Sequence, residues 1–301
     1  MSYKADNLVI VGLGLIGGSL ARALRKSGFS RRFIGCGHRE PSLQRGLELG
    51  VIDEFTLDLN EAMERADIMV VCTPTLTASR VLEQVLPLLD GREGGPVVTD
   101  AASVKGSLAQ TAIDTLGKVS PQLVLAHPIA GSERSGVDAS SEDLFVNHRV
   151  ILTPEQGNDP AAVELVRAMW QSAGADVVDM SVRQHDAVLA ATSHLPHMLA
   201  YTLVDALSRS AASDDIFRFA AGGFRDFTRI ASSDPAMWRD ISIANRSALL
   251  DSIDSFSAHL DTLRQAVQAG EAEQLFATFS RAKQARDEFA ATLAERNRPT
   301  E

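Results

Sequence analysis

The chain has 301 residues, 45% of them hydrophobic and 23% charged, with a formal net charge of −10 at pH 7. This is the composition of an ordinary globular protein with room for two domains, and the acidic balance argues against a nucleic-acid or anionic membrane surface as partner. No apolar run approaches the roughly 20 residues of a membrane span, and the opening MSYKADN lacks the layout of a secretory signal, so a cytoplasmic protein is expected.

Residues 8–11 (LVIV) form the short apolar run of a buried parallel strand, and Gly12, Gly14 and Gly17 follow at G-x-G-x-x-G spacing. Gly12 allows a sharp turn off the strand, Gly14 lets the backbone approach a pyrophosphate, and Gly17 lets the following helix pack on the strand. Leu15 and Ile16 fall between these glycines and belong to the same cofactor site. The phosphates would rest on the helix N-terminus, where unpaired N–H groups and the macrodipole hold an anion without a basic side chain.

Further strands are expected at residues 32–35, 68–73, 97–100 and 123–126, with helical composition between them, for instance at 41–49 and 76–89. Alternating strands and helices predict an α/β, Rossmann-type doubly wound parallel sheet whose ligand crevice lies at the carboxyl ends of the strands. The unusual residues collect there: residues 37–39, then Thr73 and Pro74, then 101–105, then 127–136. Residues 149–153 and 176–180 read as two more strands around a helix at 160–173. They complete a dinucleotide-binding domain over 1–180, and an all-helical domain follows over 181–301, closing on a helix from about 274 to 296. Cys36 and Cys72, at strand ends with no further Cys/His grouping, read as reduced thiols.

Several side chains stand out as candidates. Strand two ends in Gly37-His38-Arg39 and not in the acid that takes the ribose hydroxyls of NAD. A basic pair there suits the 2′-phosphate of NADP, unless His38 and Arg39 only cap the turn. His127, directly after a strand, would sit at the crevice mouth and can take a proton from a substrate hydroxyl as hydride leaves. His194 and His197 lie three apart, but no third ligand accompanies them and Pro196 breaks a regular helical face, so no metal is expected and they read as pocket histidines facing an anion. Arg225 and Arg229 can share a helix face and grip a carboxylate, with pairing to Asp226 or Asp234 as the alternative. Trp238 reads as packing among Met237 and Ile241.

Taken together, VGLGLIGGSLARAL at Val11, VVTDAASVKG at Val97, AHPIAGSERSG at Ala126, ATSHLPHMLA at Ala191 and GGFRDFTRIA at Gly222 closely resemble the prephenate and arogenate dehydrogenases of tyrosine biosynthesis. The resemblance implies oxidative decarboxylation: hydride leaves the hydroxyl-bearing ring carbon, and loss of the ring carboxylate makes the ring aromatic. By the same resemblance His127 accepts the hydroxyl proton and Ser103 lies near both nicotinamide and hydroxyl. Arg229, with Arg225 near it, meets the ring carboxylate, His194 and His197 line the substrate cavity, and Ser132 with Glu133 forms the loop beside it. The cofactor is NADP by preference or NAD, bound by Gly12, Gly14, Leu15, Ile16, Gly17, His38, Arg39, Thr73, Pro74 and Ser103. The family pairs as a homodimer through its helical domain, and neither a chorismate mutase domain in front nor an ACT domain behind is expected. A β-hydroxyacid dehydrogenase would share the layout but relies on a lysine that residues 183–281 lack. A silent NADP(H)-sensing module would have no use for His127, Ser103 and Arg229 together.

Overall fold

In the computed structural model, which describes residues 4–89, 95–131 and 134–296, the opening strand lies at the centre of the largest sheet. Six parallel strands, β1 (Ala5–Val11), β2 (Ser30–Cys36), β3 (Glu54–Thr56), β4 (Ile68–Val71), β5 (Val97–Asp100) and β6 (Leu123–Val124), line up in the order β3-β2-β1-β4-β5-β6. Successive side chains of a strand point to opposite faces, and here both faces are covered. Leu8 and Ile10 join one core cluster with Leu20, Leu24, Phe33 and Trp170. Val9 and Val11 join the other with Ile34, Met69, Val71 and Leu82. Burial on two sides is why β1 reads as an unbroken apolar run.

The chain order reverses between β1 and β4, which places a ligand crevice at their carboxyl ends. A second sheet holds β7 (Ala126–Pro128), β8 (Arg149–Leu152) and β9 (Asp176–Asp179), with β7 antiparallel to β8 and β8 parallel to β9. The single strand expected at 123–126 is therefore two. The backbone leaves the parallel sheet at Val124, and at Ala126 it takes β8 as its partner, with His127 opposite Ile151. Four consecutive apolar residues carry no mark of where the hydrogen-bond partner changes. β3 was not expected, because three residues at a sheet edge, two half-buried and one buried, leave no pattern.

From Val182 onward every described element is helical. The helix Val182–Leu189 runs through a π-turn, Ala190–His194, into the helix Leu195–Ser208. Pro196 falls in the first turn of that last helix, where its missing N–H goes unneeded, so the expected break becomes a widened turn instead. Asp234 caps the helix Pro235–Ala244 by accepting the Met237 N–H at 2.8 Å.

The chain divides into two compact units between Leu249 and Leu250. In the second, residues 250–269 of the helix Arg246–Ala269 and the helix Ala272–Arg296 meet at Gly270, whose φ of +69° suits glycine. Phe276, Phe279, Phe289 and Val267 of this unit are exposed. Among the described residues no helix is long and apolar enough to cross a membrane.

Candidate active site

At the end of β1 the chain turns through Gly12, whose φ is +96° and where a Cβ would lie 2.8 Å from the Thr73 methyl. A Cβ on Gly17 would collide with the carbonyl oxygen of Gly12, whereas Gly14 has no neighbour within 4 Å of the place a Cβ would take. One glycine turns the chain, one allows helix and strand to touch, and the one between leaves a gap. The helix Leu15–Ser27 that follows has neither a side-chain cap nor an acid in its first turn. An open gap before an uncapped, positive helix end suits a dinucleotide pyrophosphate.

A cavity of about 710 Å³ lies against this turn, a size typical of small-molecule sites. Gly14, Leu15 and Ile16 line it, as do Thr73, Pro74 and Ser103, then His127, then His194, Trp238 and Arg239 from the helical half. Arg80 and Arg134 line it too, as do Asp234 and Asp240, and Asp240 pairs with Arg239 at 2.6 Å.

His127 is 9% exposed, and its Nδ1 lies 2.9 Å from Nε2 of the fully buried His185. His185 Nδ1 lies 2.8 Å from Oδ1 of Asp186, whose carboxylate also accepts the backbone N–H of Lys105 at 2.9 Å and of Gly106 at 2.8 Å. Burial pushes the His127 pKa well below its ordinary value, and the neighbouring His185, Lys105 and His194 push it the same way. His127 is therefore neutral and free to accept a proton. Burial works against the Asp186 carboxylate, but His185 and the two backbone N–H groups outweigh it and hold its pKa below the usual value.

Beneath His127 lies a buried ion pair. Lys105 Nζ donates to Asp100 Oδ2 and, at 2.6 Å, to the carbonyl of Ala126; Asp100 Oδ1 accepts the Ala126 N–H at 3.0 Å. Both side chains are fully buried, and between them they satisfy both polar groups of the residue before His127.

Across the cavity Asn245 donates from Nδ2 to the Asp186 carbonyl at 2.9 Å and faces His194 Nδ1 at 3.0 Å. Burial lowers the His194 pKa to about 4. An amide NH₂ only donates, so His194 Nδ1 accepts and the ring carries its proton on Nε2.

The other expected residues lie around this centre. His197 stacks on Trp238 with ring centroids 3.6 Å apart, which gives Trp238 a cavity face in addition to its packing with Val104 and Ile241. Burial lowers the His197 pKa, the Ser193 carbonyl opposes that shift, and the nearby charge of Arg229 adds to it. Arg229 stands exposed on the turn Arg229–Ser232. Arg225 pairs with Asp226 at 3.3 Å, its side chain 81% exposed, and neither arginine lines the cavity. His38 and Arg39 are exposed at the end of β2, where Arg39 caps the helix Glu40–Glu48. Ser132 and Glu133 fall outside the described residues. Cys36 and Cys72 are unbonded, and burial raises the Cys36 thiol to about 11.

Sequence reasoning missed His185, Asp186, Asn245 and the pair Asp100 and Lys105. Asp100 and Lys105 had a readable sign, two ionisable residues at the C-terminal end of an apolar strand; the others stand in ordinary helical sequence.

A glycine turn for a dinucleotide, sharing one cavity with a buried neutral histidine, defines a nicotinamide-dependent dehydrogenase. The family models for the prephenate dehydrogenase nucleotide-binding domain and dimerization domain match residues 20–179 and 181–281. The chain is 39% identical over 294 residues to the prephenate dehydrogenase of Bacillus subtilis, covering 95% of this chain and 77% of that one. To the cyclohexadienyl dehydrogenase of Zymomonas mobilis it is 36% identical over 294 residues, covering 93% and 94%. Its fold matches a crystal structure of prephenate dehydrogenase from A. aeolicus in complex with hydroxyphenyl propionate and NAD+, with a TM-score of 0.87, 36% identity, and coverage of 96% of this chain and 99% of that one. This chain belongs to the prephenate dehydrogenase family. It is an oxidoreductase of tyrosine biosynthesis that decarboxylates prephenate-type substrates oxidatively with a nicotinamide cofactor.

Proposed function

We propose that the substrate is prephenate, arogenate or both, that NADP+ is preferred over NAD+, and that His127 takes the proton of the ring hydroxyl. The observation that carries this reading is the position of His127, a neutral base in the same cavity as the Gly12–Gly17 turn. The oxidised nicotinamide, when bound, supplies the hydride acceptor. As the ring carboxylate leaves, the ring becomes aromatic and the hydroxyl oxygen regains its proton. His127 thus holds that proton only for the length of the reaction, and the enzyme's main task is alignment.

Ser103, which lines the same cavity as His127, is assigned to the hydroxyl, and His194 and His197 to the substrate walls. Arg229 is assigned to the ring carboxylate: its charge reaches His197, which stacks on the cavity residue Trp238. Arg80 and Arg134 in the lining suit an anionic substrate. For the cofactor, Gly37-His38-Arg39 leaves no acid directly after β2. Of the acids nearby, Asp58 caps the helix Leu59–Arg65, Glu61 bonds to Thr56 and Arg65, and Glu40 stands exposed in the first turn of the helix Glu40–Glu48. Residues 1–180 are assigned to the cofactor, and 181–301 to the helical walls and to pairing of two copies.

The test is purified protein with each substrate and each cofactor, followed at the reduced-nicotinamide absorbance. Reduction is expected with at least one substrate and faster with NADP+; none in any of the four mixtures overturns the reading, and faster reduction with NAD+ overturns the cofactor assignment.

A further inference from the structure

We propose that His185 and Asp186 are positioning residues that fix the tautomer of His127 and share the charge it gains, through a buried line from Asp186 to His185 to His127. The proposal rests on the reading of His127 as proton acceptor.

The Asp186 carboxylate, held ionised by the His185 ring and two backbone N–H groups, has no proton to give. At 2.8 Å, His185 Nδ1 must therefore donate to it. A neutral imidazole has one N–H, and burial keeps His185 neutral, so its Nε2 carries a lone pair. His127 Nδ1, 2.9 Å from that atom, must then donate. This leaves His127 Nε2 unprotonated in a ring that lines the cavity. The carboxylate thus dictates, two rings away, that the cavity-side nitrogen is a base and not a donor. A histidine whose tautomer were free would spend part of its time with a proton on Nε2, unable to accept another.

The same line distributes the charge that arrives. The substrate O–H bond breaks and an N–H bond forms at His127 Nε2. The Nδ1 proton can then move toward His185 Nε2, placing the positive charge next to the Asp186 carboxylate. When the phenolate oxygen takes a proton back from Nε2, the Nδ1 proton returns, so no proton is gained or lost. The charged and titratable groups facing the two rings are Asp186, Lys105 and Asp100 of the buried ion pair, and His194. Only the two carboxylates favour the protonated form, and of these Asp186 alone bonds to a ring. His194, held by Asn245 as an Nε2–H donor, completes a complementary set: one ring accepts and the other donates.

The experiment compares His185→Phe, His185→Gln and Asp186→Asn with His127→Asn in kcat, cofactor Kd, the pH profile of kcat, and the ¹⁵N shifts of the histidine rings. The shifts of the unmodified protein are expected to show His127 protonated on Nδ1. His185→Phe removes the acceptor, and kcat is expected to fall ~10²-fold with cofactor Kd unchanged. His185→Gln restores an acceptor carbonyl without the link to Asp186 and is expected to recover about tenfold of that loss. Asp186→Asn removes the charge that favours protonated imidazole, so the acid limb of kcat is expected to move to lower pH.

An unmodified protein with His127 protonated on Nε2 overturns the proposal. So does an unmoved acid limb in the variants, because a merely structural role lowers kcat equally at every pH. Asp186 also caps the helix Gly106–Leu116, so if Asp186→Asn does not fold, the two His185 variants, which keep that cap, decide alone. Wild-type turnover in His127→Asn would remove the proton-acceptor reading itself. Loss of turnover there with wild-type turnover in His185→Phe would remove only the relay.

Discussion

The two sides of the cavity bind by different means. At the head of the parallel sheet, what suits an anion is backbone: three glycines and a helix end with no side-chain cap. On the helical side, from Val182 to Asn245, the work is done by side chains that hold one another, His185 to Asp186 and Asn245 to His194. A backbone cradle is written in adjacent residues and tolerates change outside them. A side-chain network joins residues 58 and 51 positions apart and depends on every member.

The hardest way to break the network side is at its centre. His127→Asn should lower kcat ~10²- to 10⁴-fold, the usual contribution of a general base, with cofactor affinity unchanged because the glycine turn is untouched. Stopped-flow turnover together with cofactor titration checks both halves. A loss of cofactor binding equal to the loss of turnover would mean that the two sides are not separable.

The buried ion pair under His127 comes next. Lys105→Met takes the cation from the fully buried Asp100 and leaves it the backbone N–H groups of Ala102 and Ala126, and losing one partner of such a pair typically costs ~3–5 kcal/mol. Denaturant unfolding should show a drop of that size. A loss below about 1 kcal/mol would mean that Asp100 finds another partner or a proton.

How far the site was readable follows the same divide. Gly12, Gly14 and Gly17 were legible because a turn is specified by consecutive residues, and β5 was placed at 97–100 because its apolar run ends in Asp100. His127 was legible from its place at a strand end, although the strand proved to belong to a second sheet. His185 and Asp186 were not legible. On a helix with ordinary amphipathic spacing, a buried histidine looks like any other polar residue until the opposite strand is in place. The stack of His197 on Trp238 was hidden for the same reason, since the two belong to different helices.

The network also makes stability depend on pH. His194 titrates near 6.5 when unfolded and near 4 in the folded chain. Below pH 6.5 the unfolded state binds the extra proton first, so stability falls as pH drops from about 6.5 to about 4 and is constant above. A shift of that size corresponds to about 3 kcal/mol for His194 alone. Denaturant midpoints at neutral and acid pH should show the loss, and His194→Gln should reduce it to what the buried His127 and His185 contribute. An equal slope in both proteins would place the acid sensitivity elsewhere.

Smaller effects are expected from the two exposed arginines outside the cavity lining. Arg229→Ala should raise KM for the substrate about 10- to 100-fold with little change in cofactor affinity, the size of a charged hydrogen bond of roughly 1.5–3 kcal/mol. Arg225→Ala should do far less, since its side chain is 81% exposed and already paired with Asp226. Steady-state kinetics of the two variants side by side sharpens the comparison. Equal effects would mean that the network side recognises charge in general and not through one positioned guanidinium.

The smallest effect tests the backbone side. The pyrophosphate that the glycine turn suits is common to both nicotinamide dinucleotides, so on this reading the turn cannot choose between them, and the choice would come from side chains beyond β2. Arg39 is exposed there and caps the helix Glu40–Glu48 through its backbone alone, with no side-chain cap bond. Removing its guanidinium should therefore leave the fold intact and weaken only the grip on a 2′-phosphate. Arg39→Ala should lower kcat/KM for NADP+ about tenfold, or ~1.4 kcal/mol for one exposed charged contact, and leave NAD+ within about twofold. Equal losses with both cofactors would assign Arg39 to the turn and not to the phosphate, and the cradle would then be the whole of the cofactor site that this side provides.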